Sequence, residues 1–215
     1  MDAKVLIDGI ILYLGLVVLL TFHEFGHAWM ASKCGDDTAR LQGRVSLNPL
    51  VHIDLLGTVV LPLIMIFVSP LGRFLVGWAK PVPVNPYNLR HKTRDDILVT
   101  LAGPGMNVVL AVVLMLLARG GMLIGSPSAM ALFANLARLS LLLCFFNLLP
   151  IPPLDGSQVV RALFNISYEA YHRMAQYGIF ALIIALQIPL VRQIIGTATS
   201  VSWQVLGHLV GLPIA

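Results

Sequence analysis

The chain has 215 residues, of which 58% are hydrophobic and only 11% charged, and its formal net charge is +4. Soluble domains carry about 25% charged residues, so this composition, with a mean hydropathy of +0.87, cannot clothe a water-facing surface and excludes a soluble protein. The basic residues do not interleave with aromatics on one face, which sets nucleic acid aside as a partner and assigns the positive charge to loops beside an anionic leaflet.

Apolar runs occur at 5–31, 51–69, 97–118, 130–149 and 177–196, with a weaker one at 201–214. This pattern predicts an all-α, polytopic membrane helical bundle of five to six hydrophobic segments, forming a single domain over 1–215. Crossing the hydrocarbon core takes about 20 residues, which the runs at 5–31, 97–118 and 130–149 provide. The first run has no small-residue cleavage site and passes straight into a chemical motif, so a removable signal peptide is not expected.

The polar stretch 32–50 reads as a loop with a short hairpin. The 51–69 run is interrupted by Gly57 and Pro62 and is followed by Pro70. It is expected to break or re-enter, which irregular backbone can do only under cover of protein. Closely spaced prolines at 81, 83 and 86 predict an extended segment within 79–96. Cys34 and Cys144 show no paired spacing and are expected to pack as ordinary buried thiols.

The sharpest signal is His23-Glu24-Phe25-Gly26-His27 inside the first apolar run. Residues i and i+4 share one helical face, so both imidazoles can address one metal ion. Glu24 stands beside them, placed to take the proton of a water that the metal acidifies. Glutamate occurs only at 24 and 169, so accidental assembly of this motif is rare. Ionisable side chains within a membrane helix are also costly and mark function.

A catalytic zinc site commonly has three protein ligands and one open position. Glu169 has no supporting pattern, whereas Asp155 follows the 130–149 run in Asn147-Leu-Leu-Pro-Ile-Pro-Pro-Leu-Asp155-Gly156. There the prolines break the helix, and Gly156 is expected to let the backbone turn the carboxylate inward. An Asp-Gly turn at the membrane surface is the competing reading of that dipeptide.

HEFGH in one membrane helix and NLLPIPPLDG after a later one together resemble the site-2 protease family of intramembrane zinc metalloproteases. The resemblance covers about residues 5–165 as a catalytic core, with C-terminal helices at 177–214. It implies one Zn2+ per chain held by His23, His27 and Asp155, with Glu24 as general acid/base. It also implies that Asn147 hydrogen-bonds the reacting carbonyl as it becomes an oxyanion, an effect that a fixed amide donor can exert.

Gly103-Pro104-Gly105-Met106-Asn107 resembles the family's GxxxN motif. The glycines are expected to permit close helix packing, and Asn107 is a candidate to line the site. Neither a PDZ-like insertion nor a cystathionine-synthase-like regulatory domain is evident, and 51–96 reads as an insertion carrying GWAKPVPVNP, residues 77–86.

Geometry adds a demand. His23 lies nine residues before Ser32, about 14 Å from that end of the run at 1.5 Å per residue. The loops after 31 and after 149 must therefore share one side of the membrane, which holds only if 51–69 does not fully cross. That side would carry Lys33, Arg40, Arg44, Arg73, Lys80, Arg90, Lys92, Arg94, Arg161 and Arg173 of the 14 basic residues. By the positive-inside rule the metal end then faces the cytoplasm.

Arg138 is expected to snorkel. Trp29, Trp78 and Trp203 are expected to anchor at the interface. His52, His91, His172 and His208 are expected to be solvated there. The expected activity is hydrolysis of a peptide bond in or near a membrane span of a substrate protein, in a prokaryotic cell membrane. Two readings of other classes compete: a divalent-metal transporter, which needs further ligands along a path, and a catalytically silent binding protein, which the intact Glu24 argues against.

Overall fold

The computed structural model describes residues 3–68 and 77–213. Helix α1 (Ala3–Cys34) is apolar around its circumference and ends at Gly35, whose φ of +108° suits glycine. Gly35 N–H donates to Ser32 O and Asp36 N–H to Ala31 O, the paired bonds of a Schellman ending. Short helix α2 (Thr38–Leu41) follows. The hairpin expected within 32–50 does not form, and no strand occurs among the described residues.

The 51–69 run was expected to break or re-enter at its glycine and proline, but helix continues through both Gly57 and Pro62, changing only from π to α geometry at Leu61. A 3-10 turn at Pro49–Val51 leads to a π-helical stretch, Leu55–Val60, and then to α3 (Leu61–Val68). Residue 69 lies outside the described residues. When the chain reappears at 77 it returns to where it left: Trp78 N–H donates to Gly57 O at 3.1 Å and Lys80 N–H to His52 O at 2.9 Å. The excursion thus begins and ends at one place. Residues 77–85 form neither helix nor strand and reach extended backbone at Asn85, and the 3-10 turn Pro86–Asn88 precedes α4 (Lys92–Leu123).

A tight turn with Gly125 at φ +67° joins α4 to α5 (Pro127–Asn147), whose cap Ser126 accepts from Ala129 N–H. Helices α6 (Asp155–Leu163) and α7 (Tyr168–Ala175) follow, neither of which the apolar runs foretold, because both are short and amphipathic. The C-terminal runs were expected at 177–196 and 201–214, but the helices are α8 (Gly178–Gln187) and α9 (Pro189–Val210), meeting at 83°. Pro189 sets that break, since the residue before a proline avoids helical geometry and Ile188 has ψ of 117°. Helices α1, α4 and α5 are each long and apolar enough to cross a membrane, and α8 with α9 would add a fourth span if the bent pair is one.

Leu19, Met115 and Leu141 are fully buried where α1, α4 and α5 meet, and Trp203 of α9 closes that core. Alanines at 28, 31, 111, 118 and 137 have no exposure, and such small residues let membrane helices approach closely. Leu14, Val18, Val109, Val113 and Leu116 point outward, as lipid-facing positions should. Trp203 is therefore a core residue rather than an interface anchor, and the Arg138 guanidinium lies 4.4 Å from its ring centroid. Cys34 and Cys144 are buried and free, as expected.

Antiparallel α4 and α5 put Cys34, Lys92 and Asn147 at the same end of the bundle. Arg90 N–H, just before α4, donates to Cys34 O. The loops after α1 and α5 consequently share one side, the condition that a shared metal imposes.

Candidate metal centre

His23 and His27 lie one turn apart on α1, about two-thirds of the way along it. Glycine and alanine on both sides let α4 approach that turn. A methyl group at Gly26 would stand 2.6 Å from Ala102 O, and one at Gly103 would stand 2.2 Å from His27 Nε2 and 2.8 Å from His23 Cε1. Gly103 is therefore the floor on which both imidazoles rest, a stronger constraint than the helix packing expected of it. Gly105 has nothing within 4 Å of its would-be methyl, so the packing role expected there is absent.

Asp155 comes to the same place from the other side of the bundle. It is the first residue of α6, and Ser157 Oγ, which donates to Leu154 O at 2.6 Å and meets Tyr171 Oη at 2.9 Å, fixes that turn. Gly156 was expected to supply a turning conformation. It is instead helical and required by space, because a methyl there would lie 2.1 Å from Leu148 O and 2.5 Å from Leu149 O.

Three ligand atoms converge: His23 Nε2, His27 Nε2 and an Asp155 carboxylate oxygen, all within 4.8 Å of one another. The imidazole nitrogens are 3.1 Å apart, and Asp155 Oδ2 is 3.2 Å from His23 Nε2 and 3.5 Å from His27 Nε2. His23 and Asp155 are buried and His27 nearly so. Asp155 Oδ2 meets no polar partner among the described residues apart from these two imidazole nitrogens, and a buried carboxylate oxygen placed so requires a proton on one of them or a cation between them. Burial alone would raise the Asp155 carboxyl, but the imidazoles of His27 and His23 outweigh it and hold the group well below the usual carboxylate range.

The far nitrogens of both rings are engaged. His27 Nδ1 faces the carbonyl of Val99 at 2.8 Å, and His23 Nδ1 faces the side chain of Asn107 at 3.3 Å. Partners of this kind aim ligand imidazoles. Asn107 has no exposure, so it stands behind His23 rather than lining the open site.

A cavity of about 590 Å³ opens over the cluster, lined by His23, Glu24, His27, Asn147 and Asp155 together with the segment at Pro81 and Val82. Glu24 does not join the three-atom group. Its Oε2 accepts from Val82 N–H at 3.0 Å. Asn147, the last residue of α5, donates from Nδ2 to Leu143 O at 2.9 Å. One amide hydrogen is thereby occupied and one remains.

Sequence reasoning missed what holds the segment 77–85. Arg44 is 5% exposed and donates from Nη2 to the carbonyls of Lys80 and Pro81. His52 was expected at the interface, but it is 2% exposed, with Nε2 2.8 Å from Ser46 O. Asp36, without exposure, accepts from Asn85 N–H at 2.6 Å and from Asn88 Nδ2 at 2.9 Å. Lone polar residues in a loop carry no spacing signal, so only the three-dimensional arrangement exposes these roles.

The model of peptidase family M50 matches residues 11–125 and 121–186. The chain is 37% identical over 187 residues to "Putative zinc metalloprotease YwhC" of Bacillus subtilis (strain 168), covering 83% of this chain and 81% of that protein. It is 31% identical over 184 residues to "Putative zinc metalloprotease Rip2" of Mycolicibacterium smegmatis, covering 84% and 68%. The same-named protein of Mycobacterium tuberculosis (strain H37Rv) is 34% identical over 175 residues, covering 80% and 63%. No solved structure matches the chain. With the family model spanning most of the sequence, the chain belongs to peptidase family M50, the site-2 protease family.

Proposed function

We propose that this protein is an intramembrane zinc endopeptidase that hydrolyses a peptide bond in or near a membrane span of another protein, with His23, His27 and Asp155 as its zinc ligands. The observation that carries the reading is the convergence of His23 Nε2, His27 Nε2 and Asp155 Oδ2, with edges of 3.1, 3.2 and 3.5 Å. Tetrahedral zinc at about 2.0–2.1 Å from each ligand sets ligand–ligand separations of about 3.3–3.4 Å. The residues fit the ion in number, chemistry and spacing. One such group occurs among the described residues, whereas a transport path needs a series.

Zinc held there supplies a Lewis acid for the scissile carbonyl and makes water acidic near neutral pH. Glu24 removes the proton from the attacking water and returns it to the leaving amine, which makes it the general base and then the general acid. The free N–H of Asn147 meets the negative charge that grows on the carbonyl oxygen, stabilising charge present only in the transition state. The substrate must be unwound to react, because a helix shields its peptide bonds. The segment 77–85 along the cavity is suited to pair with such an opened strand.

Ten of the 14 basic residues fall in 32–96 and 150–176, which supports a cytoplasmic metal end in a bacterial-type cell membrane. The test is cleavage of a single-span peptide in liposomes with Glu24→Gln. Loss of cleavage with zinc retained is expected, and full activity in that variant removes the mechanism.

A further inference from the structure

His23 and Asn107 pose a question of proton placement. In this structure Asn107 Nδ2 faces His23 Nδ1 at 3.3 Å, and Asn107 Oδ1 is buried without a partner. An N–H directed at Nδ1 makes that nitrogen an acceptor. A neutral imidazole then carries its proton on Nε2, the atom that faces His27 Nε2 and Asp155 Oδ2. A protonated Nε2 can donate to the Asp155 carboxylate but has no lone pair for a metal.

A half-turn of the amide reverses this. Oδ1 then accepts from Nδ1–H, the tautomer changes, and the Nε2 lone pair points into the three-atom cluster. For the amide itself the turn only exchanges which of its two atoms is unpaired, so the histidine decides between them. His27 needs no such device, because its Nδ1 faces the Val99 carbonyl, which can only accept and so already fixes the ligating tautomer.

The surroundings hold Asn107 in place for this task. It has no exposure, and Ser140 Oγ, equally buried, donates to its backbone carbonyl at 2.7 Å, tying α5 to α4 behind the site. We infer that Asn107 is a positioning residue whose amide turns to accept from His23 Nδ1 when the metal enters, and so sets the tautomer in which His23 can ligate. The inference rests on the zinc reading proposed above.

Full-length protein in detergent, stripped of metal, is titrated with zinc against a chromophoric chelator, alongside Asn107→Leu, Asn107→Asp and His23→Ala. Melting of each metal-free form monitors folding. Leucine has the same outline with neither donor nor acceptor, and its zinc affinity should fall about 10–100-fold, the usual cost of losing such a partner. Aspartate keeps the acceptor, so its affinity should equal or exceed that of the wild type, a rescue that a merely structural role for the amide does not explain. Leucine within twofold of wild type overturns the inference, as does aspartate tenfold weaker than wild type. If leucine does not fold, the aspartate result alone decides. Failure of the wild type to bind zinc more tightly than His23→Ala would instead sink the metal-centre reading beneath it.

Discussion

The main-chain N–H of Val82 donates to Glu24 Oε2 at 3.0 Å. Val82 stands between Pro81 and Pro83, neither of which has an N–H, so it is the one donor of that tripeptide. With Arg44 on the carbonyls of Lys80 and Pro81, this contact sets where the carboxylate points. A hydrogen bond to a charged group contributes about 1.5–3 kcal/mol. Val82→Pro removes it, and kcat should fall about tenfold or more, in keeping with about 1.4 kcal/mol per decade. Bound zinc should be unchanged. Steady-state cleavage and metal analysis of one preparation check both.

Asp155→Asn keeps the size of the side chain and removes its charge. The two imidazoles alone should hold zinc far more weakly, so metal content after dialysis should drop well below one per chain, with cleavage lost in step. Dialysis of the wild type against a strong chelator should abolish cleavage, and zinc added back should restore it. Activity that survives complete metal removal would contradict the centre.

Gly103→Ala should destroy metal binding, because its methyl would stand 2.2 Å from His27 Nε2. Overpacking of this kind costs about 1–3 kcal/mol, here taken from the rings' alignment. Gly105→Ala meets open space in the same helix, and should leave zinc unchanged and raise stability by about 0.5–1 kcal/mol. The pair, compared by zinc content and thermal melting, separates the site from the helix.

Asp36 anchors the far end of the segment 77–85. Burial on its own raises this carboxyl, but donors from Thr38, Asn88 and Asn85 outweigh it and hold it below the ordinary range. In the unfolded chain the group titrates near about 3.9. Because the folded value is the lower, the stabilisation is complete above about pH 4 and is lost as pH falls through the folded value. The protection of amides over 77–90, taken relative to their intrinsic exchange rate at each pH, should therefore fall in acid. Asp36→Asn should show that reduced protection already at pH 7, without the acid step.

Much of the site was legible because its chemistry leaves spacing behind. Two histidines four apart on an apolar helix, and an aspartate after a proline-broken one, are linear patterns, and the structure brings all three together. The 51–69 run was read less well, since Gly57 and Pro62 were expected to interrupt it and the helix continues through both. Helices α6 and α7 were not legible, because nine- and eight-residue amphipathic turns leave no long apolar run. Gly103 and Gly156 were singled out for other reasons, and their importance lies in what stands opposite them: the imidazoles in one case and the backbone of 148–149 in the other. Arg44 and Asp36 act on partners remote in sequence, a relation that no periodicity encodes.

The partition of the three converging atoms between α1 and α6 orders events during biosynthesis. As the polypeptide leaves the ribosome, the two imidazoles enter the bilayer with the first helix. The carboxylate follows only after the α4–α5 hairpin has been threaded through. A nascent chain halted anywhere before that point carries the histidine pair without the carboxylate that converges on it. The three-atom cluster is thereby assembled only once insertion of the core is finished.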